Sequence, residues 1–191
     1  MKSLLPLILT VFSLTAFAQN SDKPAFERKG LIFGAAFGVS AIRLNRSPVA
    51  KETQASISFP NLKIGAMVSK RTAILLYLPG TIYTQKSPGR ERDRGFEAIV
   101  PSIQYWVKDK WWLSGGVGLG LDAPAFYDIK NESERKFYFG TSAVIGSGYE
   151  LCRKGRFALD IQNRIQYGKV NLPSANQTGL AYSVLVGFNF Y

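Results

Sequence analysis

Bulky apolar residues recur at every second position in one segment after another of this chain. That period of two fits a β-strand with two unlike faces, not a helix. In the first such segment, about Gly30 to Arg43, Leu31, Phe33, Ala35, Phe37, Val39 and Ala41 share one face. Gly34, Ala36, Gly38 and Ser40 share the other. The pattern returns around Leu62–Ser69, Phe96–Val107, Trp111–Leu121, Phe137–Leu151, Phe157–Tyr167 and Leu180–Phe190. The segment Thr72–Tyr83 is apolar on both faces, so its phase stays open. Asn163 and Ser147 break the pattern by falling on the greasy side. Eight such segments of about 11 residues match the length of a tilted strand crossing a bilayer. In a membrane barrel the greasy face meets lipid, and small or polar groups fill the narrow lumen.

The connections give an independent argument. Polar stretches from Leu44, from Thr84 to Gly95, from Asp122 to Lys136 and from Gly168 to Gly179 read as long loops. Between them fall short turns at Lys70-Arg71, Lys108-Asp109-Lys110 and Arg153 to Arg156. This alternation of long external loops with short periplasmic turns predicts an all-β fold, an eight-stranded antiparallel up-and-down transmembrane β-barrel. Closure would satisfy every strand edge, as lipid requires. A secreted soluble barrel of lipocalin type, greasy inside and polar outside, is the rival fold; periodicity alone does not say which face is outside. Tyr105, Trp106, Trp111 and Trp112 beside one short turn, with Tyr77 and Tyr83 toward the opposite end, fit interfacial girdles.

The N-terminus reads as a targeting signal. Lys2 precedes an apolar run from Leu4 to about Phe17, which ends in the small-residue pattern Ala16-Phe17-Ala18. The expected organisation is a signal peptide over residues 1–18, a periplasmic segment over 19–29 and an outer-membrane barrel over 30–191. No later segment reaches the roughly 18 apolar residues of a helical span.

The chain's end, Gly187-Phe188-Asn189-Phe190-Tyr191, resembles the terminal strand of small outer-membrane barrels of the OmpA/OmpX type. One Tyr follows the expected terminal Phe. The resemblance implies the barrel fold alone, with no peptidoglycan-binding domain. It also implies that Gly187, Phe188, Phe190 and Tyr191 serve as a signal to the barrel-assembly machinery.

Chemistry is sparse. The chain has no His and a single Cys, Cys152. A serine nucleophile served by a histidine base is therefore excluded, as is an internal disulfide. No cofactor or metal site is expected, and a non-enzymatic protein is the reading. Gly115-Gly116-Val117-Gly118-Leu119-Gly120 lacks dinucleotide-loop spacing and reads as small lumen-facing residues. By parity Lys63, Gln104, Glu150, Asp160, Gln162, Arg164 and Gln166 should point inward, either lining a solute path or forming a solid polar core with ions paired across the barrel.

The net charge of +11 usually suggests nucleic acid, a partner that an exported barrel does not meet. Lys86, Arg90, Arg92 and Arg94 cluster in the second long loop, interleaved with Glu91 and Asp93; the phosphates of lipopolysaccharide are the more physical partner, and a solvated loop with no partner is the equal alternative. Lys70-Arg71 and Arg153-Lys154 could contact inner-leaflet headgroups. The functional expectation is an outer-membrane protein of envelope integrity or surface interaction, acting through external loops. A narrow channel or transporter for a small or hydrophobic solute, and an accessory barrel of a secretion or assembly complex, are the alternatives.

Overall fold

The computed structural model describes residues 28–47, 50–87, 90–129, 135–172 and 175–191. Their alternating segments form β1 (Leu31–Ser47), β2 (Ala50–Ser58), β3 (Asn61–Ser69), β4 (Thr72–Ser87), β5 (Arg90–Trp106), β6 (Trp111–Pro124), β7 (Tyr138–Lys154), β8 (Phe157–Leu172) and β9 (Ala175–Phe190). Every pairing is antiparallel. The sheet runs β2-β1-β3-β4 and onward to β9, and β9 returns to β1, which closes it. Both β2 and β3 pair with β1, through Gly38–Ser58 and Ala35–Leu62. They occupy one wall position, interrupted at Phe59 and Pro60, so the wall has eight positions. Proline has no N–H to give a ladder, which suits it to that break.

The break leaves a seam. The inner half of β4 pairs with β3, from Thr72–Ser69 to Pro79–Asn61. Beyond it, among the described residues, β4 and β2 share no backbone ladder. Side chains bridge the gap instead. Gln54 Nε2 donates to Thr84 O at 2.7 Å, and Gln54 Oε1 accepts from Thr84 N at 3.0 Å. The Gln54 carboxamide thus supplies the donor and acceptor that a neighbouring strand's peptide would. Ser58 Oγ donates to Gly80 O at 2.8 Å, and Asn61 Oδ1 accepts from Gly80 N at 3.2 Å.

The two faces settle the choice between barrels. Val39, Val117 and Ile145 are 65%, 73% and 68% exposed, whereas Glu150 and Asp160 are fully buried. Greasy outside and ionic inside is the reverse of a soluble lipocalin-type barrel. The open phase of β4 is decided as well: Ile74 and Leu76 face out, Ala73 and Leu75 face in. The two polar exceptions on the outer face are partnered by aromatic tips. Tyr182 OH donates to Asn163 Oδ1 at 2.8 Å, and Trp111 Nε1 donates to Ser147 Oγ at 2.8 Å.

Three of the four expected long loops are strand instead. β1 and β2 stay paired out to Arg46–Ala50, β4 and β5 to Ser87–Arg90, and β8 and β9 to Leu172–Ala175. Polar alternation marks where strands leave the bilayer, not where they end, because a ladder satisfies the backbone in water as well as in lipid. The fourth connection does leave the sheet, with a short 3-10 turn at Phe126–Asp128. At the other end the turns are tight, and Gly155 takes the left-handed φ of +58° between β7 and β8. The start of β1 and the end of β9 meet at this end through Phe33–Phe190.

Candidate functional site

The interior is the candidate site, because the structure brings Lys63, Gln104, Glu150, Asp160, Gln162, Arg164 and Gln166 into it, none more than 8% exposed. They do not form one continuous polar column. Six of them sort into layers closed by side chains from several strands, whereas the fully buried Gln166 carboxamide makes no hydrogen bond among the described residues.

The layer at the tight-turn end is built on Glu150. Its carboxylate accepts from Arg28 Nη2 at 2.7 Å, Arg153 Nε at 2.6 Å, Trp106 Nε1 at 2.8 Å and Tyr191 OH at 2.8 Å. The Arg28 guanidinium lies 4.6 Å above the Trp106 ring, and Tyr191 meets that ring edge-on at 5.7 Å. The terminal Tyr191, one residue beyond the expected aromatic end, is thus folded into the barrel floor and is 1% exposed. Gly187, Phe188 and Phe190 lie on β9, with Phe188 facing outward and Phe190 edge-on to Phe157 at 5.1 Å. Arg156 Nε donates to the Tyr191 carbonyl.

The next layer is centred on Asp160. It accepts from Gln162 Nε2 at 2.7 Å, Asn189 Nδ2 at 2.9 Å and Trp112 Nε1 at 3.1 Å. Lys63 Nζ donates to Gln104 Oε1 at 3.1 Å and sits 4.8 Å above the Trp112 ring. Gly148 on the facing strand makes room for that ring, where a Cβ would overlap it.

Arg164 forms the third layer and differs from the expected cross-barrel ion pair. Its guanidinium reaches the β2–β4 seam and donates to Asn61 Oδ1, Tyr77 OH (3.0 Å), Ser58 Oγ (2.7 Å), Gly80 O (3.2 Å) and Ser183 Oγ (3.1 Å). All five acceptors are neutral. Ser40 Oγ links Ser183 and Thr81 beside it, at 2.5 and 3.2 Å.

Toward the outer end Ile42, Leu44, Tyr83, Phe96 and Ala181 pack into an apolar plug. Above it Asp122 accepts from Arg94, from Gln177 Nε2 at 2.6 Å and from Tyr83 OH at 2.5 Å. Arg46 Nε donates to Gln177 Oε1 at 2.5 Å.

The expected basic loop is therefore not a free cationic cluster. Arg94 is buried against Asp122 and the Lys136 carbonyl. Lys86 lies 3.9 Å from Glu91, both exposed. Arg92 is half-buried on β5. The Arg90 backbone pairs with Ser87, and its side chain lies outside the described residues. The expected girdle is also split. Tyr105 and Trp111 face outward, but Trp106, Trp112 and Tyr83 face the lumen, and Tyr77 holds Arg164 from inside. Parity carried this signal: Trp106 is in phase with Gln104, Trp112 with Ser114, Tyr191 with Asn189, and Arg94 with Phe96. Arg28 had no such marker, because it precedes the first strand. Residues 1–27, which hold the expected signal peptide and most of the 19–29 segment, lie outside the described residues.

A closed antiparallel wall, an apolar outer belt and a layered ionic interior define a small outer-membrane β-barrel. No protein-family model matches the sequence, and no curated protein does. Among solved structures, the chain is similar to the attachment invasion locus protein Ail of Yersinia pestis, at 14% identity over 85% of this chain and 99% of that one, with a TM-score of 0.55. Ail in complex with the heparin analogue sucrose octasulfate matches at 14% identity over 84% and 99%, with a TM-score of 0.53. Neisserial surface protein A matches at 16% identity over 85% and 99%, with a TM-score of 0.55. At these identities the likeness is one of fold.

Proposed function

We propose that this protein is a non-enzymatic outer-membrane barrel that works by its external surface and not by passing solutes. The observation that carries the reading is the filled interior. Three hydrogen-bonded layers and an apolar plug cross the lumen, and their central side chains are almost wholly buried. An eight-stranded barrel is just wide enough for side chains to fill it.

The surface that remains has a defined cationic patch. Ladder register aligns Lys169, Thr178, Asn45 and Lys51 in one row across β8, β9, β1 and β2. The adjacent outward row toward the belt is Tyr167, Leu180, Arg43 and Thr53. Lys169, Arg43 and Lys51 are exposed, and neither row contains a carboxylate. Cations just above an apolar belt fit the phosphate layer of lipopolysaccharide, since charge-assisted contacts to phosphate are among the stronger polar ones. Binding of a sulfated sugar by the structurally similar Ail lends this reading support. The expected signal peptide and the assembly role of the terminal strand belong to the same proposal.

Planar-bilayer recording of the refolded barrel tests the closed lumen: no steps above the bare-bilayer baseline are expected, and sustained conductance overturns it. Retention on lipopolysaccharide-containing vesicles should fall severalfold in R43Q/K51Q/K169Q and not in K108Q/K110Q/K154Q at the opposite end. Equal loss in both triples removes the patch from the proposal.

A further inference from the structure

The middle of the lipid face holds two polar side chains that hydrocarbon does not satisfy. Ladder register sets Leu113, Ser147, Asn163, Val184, Val39 and Ile57 in one outward row across β6, β7, β8, β9, β1 and β2. The row is apolar except at Ser147 and Asn163, which oppose each other directly on β7 and β8. Asn163 lies at mid-depth: Leu159 and Ile161 precede it on the outward face of β8, and Ile165 and Tyr167 follow it.

Each of the two already accepts one bond, from Tyr182 OH and from Trp111 Nε1. Donors are what is left over. Among the described residues the Asn163 Nδ2 hydrogens and the Ser147 hydroxyl hydrogen meet no acceptor. Asn163 is half-buried, and its Nδ2 is not one of the nitrogens sealed off from the surface, so the amide opens on the bilayer. Acyl chains offer no acceptor and water is absent at this depth. The headgroup oxygens lie roughly 15 Å away, half the thickness of the hydrocarbon core. Polar side chains in this position hold membrane segments together.

The chemistry of the side chain names the partner. A carboxamide carries both donors and an acceptor, and Asn163 Oδ1 keeps a second lone pair beyond the one that Tyr182 uses. It is therefore complementary to itself, and a two-fold contact sets the same patch on both sides of its axis. The outward residues around it, Ile145, Ile161, Ile165 and Val184, are exposed and uncharged, so the approach of a second barrel desolvates no ion. We propose that the lipid face of β7 and β8 is a homodimer contact, in which the Asn163 carboxamides of two copies exchange a pair of N–H···O bonds across an axis along the membrane normal, with Ser147 beside them. The contact lies at the depth of the apolar belt, so neither conductance nor lipopolysaccharide retention bears on it.

The single cysteine, Cys152, is exposed and serves as the labelling site. The mature barrel, carrying either a donor or an acceptor fluorophore there, is refolded into phosphatidylcholine vesicles over a range of lipid-to-protein ratios. Energy transfer above that of randomly mixed barrels is expected, falling with lipid dilution as a monomer–dimer equilibrium requires. Loss of two side-chain hydrogen bonds in a bilayer raises the dissociation constant roughly tenfold, which is the effect expected of Asn163→Leu. Asn163→Gln keeps the carboxamide and should retain most of the transfer. Heat-modifiable gel migration shows that each variant has folded. Transfer in the parent no greater than random mixing overturns the proposal, and so does a dissociation constant unchanged in Asn163→Leu. If Asn163→Leu fails to fold, Tyr182→Phe/Asn163→Val removes both polar partners together and keeps the test decisive. Unfolding measured at one barrel per vesicle excludes the contact and reports on the single barrel.

Discussion

Glu150 offers the sharpest test of the layered interior. Its side chain is fully buried and accepts hydrogen bonds from Arg28, Arg153, Trp106 and Tyr191. Glu150→Ala removes the shared acceptor of all four donors, with unequal consequences. Arg153 keeps its bond to Asp109 at 2.7 Å, and Arg28 precedes the first strand and can swing into water at the barrel mouth. Trp106 Nε1 and the Tyr191 hydroxyl sit on the buried barrel floor and both lose the oxygen they share, Glu150 Oε1. Leaving a buried polar group unsatisfied costs about 1–3 kcal/mol, so two of them put the loss near 3 kcal/mol. That is roughly a hundredfold in the folded-to-unfolded ratio. Glu150→Gln keeps one acceptor oxygen and should lose about half as much. The assay is equilibrium urea unfolding in lipid vesicles, followed by tryptophan fluorescence, because Trp106 and Trp112 report from inside the barrel. A double-mutant cycle of Glu150→Gln with Arg28→Gln should give a coupling energy of about 0.5–3 kcal/mol, the range for residues in contact. Unfolding of Glu150→Ala indistinguishable from the parent, or zero coupling to Arg28, would refute the floor described above.

Three further outcomes follow from the wall. Gln54→Leu removes both bonds to the Thr84 peptide, so exchange of the Thr84 amide should speed up about tenfold while amides in the β8–β9 ladder stay protected; unchanged Thr84 protection would mean that the seam is closed by other means. Tyr182→Phe leaves the Asn163 carboxamide without its partner on the lipid face, and the unfolding midpoint should drop by an amount equivalent to about 1 kcal/mol, with the companion Tyr182→Phe/Asn163→Val restoring it. Cys152 is exposed on β7 beside the tight-turn end. A bulky polyethylene-glycol maleimide should label it in cells only after the outer membrane is opened, and labelling of intact cells would invert the orientation.

The amino-acid sequence by itself determined the wall. Period-two alternation is a local property, and lipid rewards it strand by strand, so Leu31 to Ala41 or Tyr182 to Phe188 assign their outer face without knowledge of any partner. The same parity places Gln104, Asp160 and Arg164 inside; it also holds for Trp106 and Trp112, whose interfacial preference points the other way, and for Tyr191, which continues the phase of Asn189. Strand ends were harder to read, because a paired hairpin in water and a polar loop have the same composition: Leu44–Ser47 and Thr84–Ser87 continue the ladder although neither is apolar. What only the tertiary structure decided is which inward groups meet. Arg164 finds Asn61 and Ser58, and Glu150 finds Arg28, across more than a hundred residues of chain. Those meetings depend on how the sheet closes and how its register staggers around the barrel, a global quantity that no local pattern encodes. The break at Phe59 and Pro60 and the seam it opens arise from that closure.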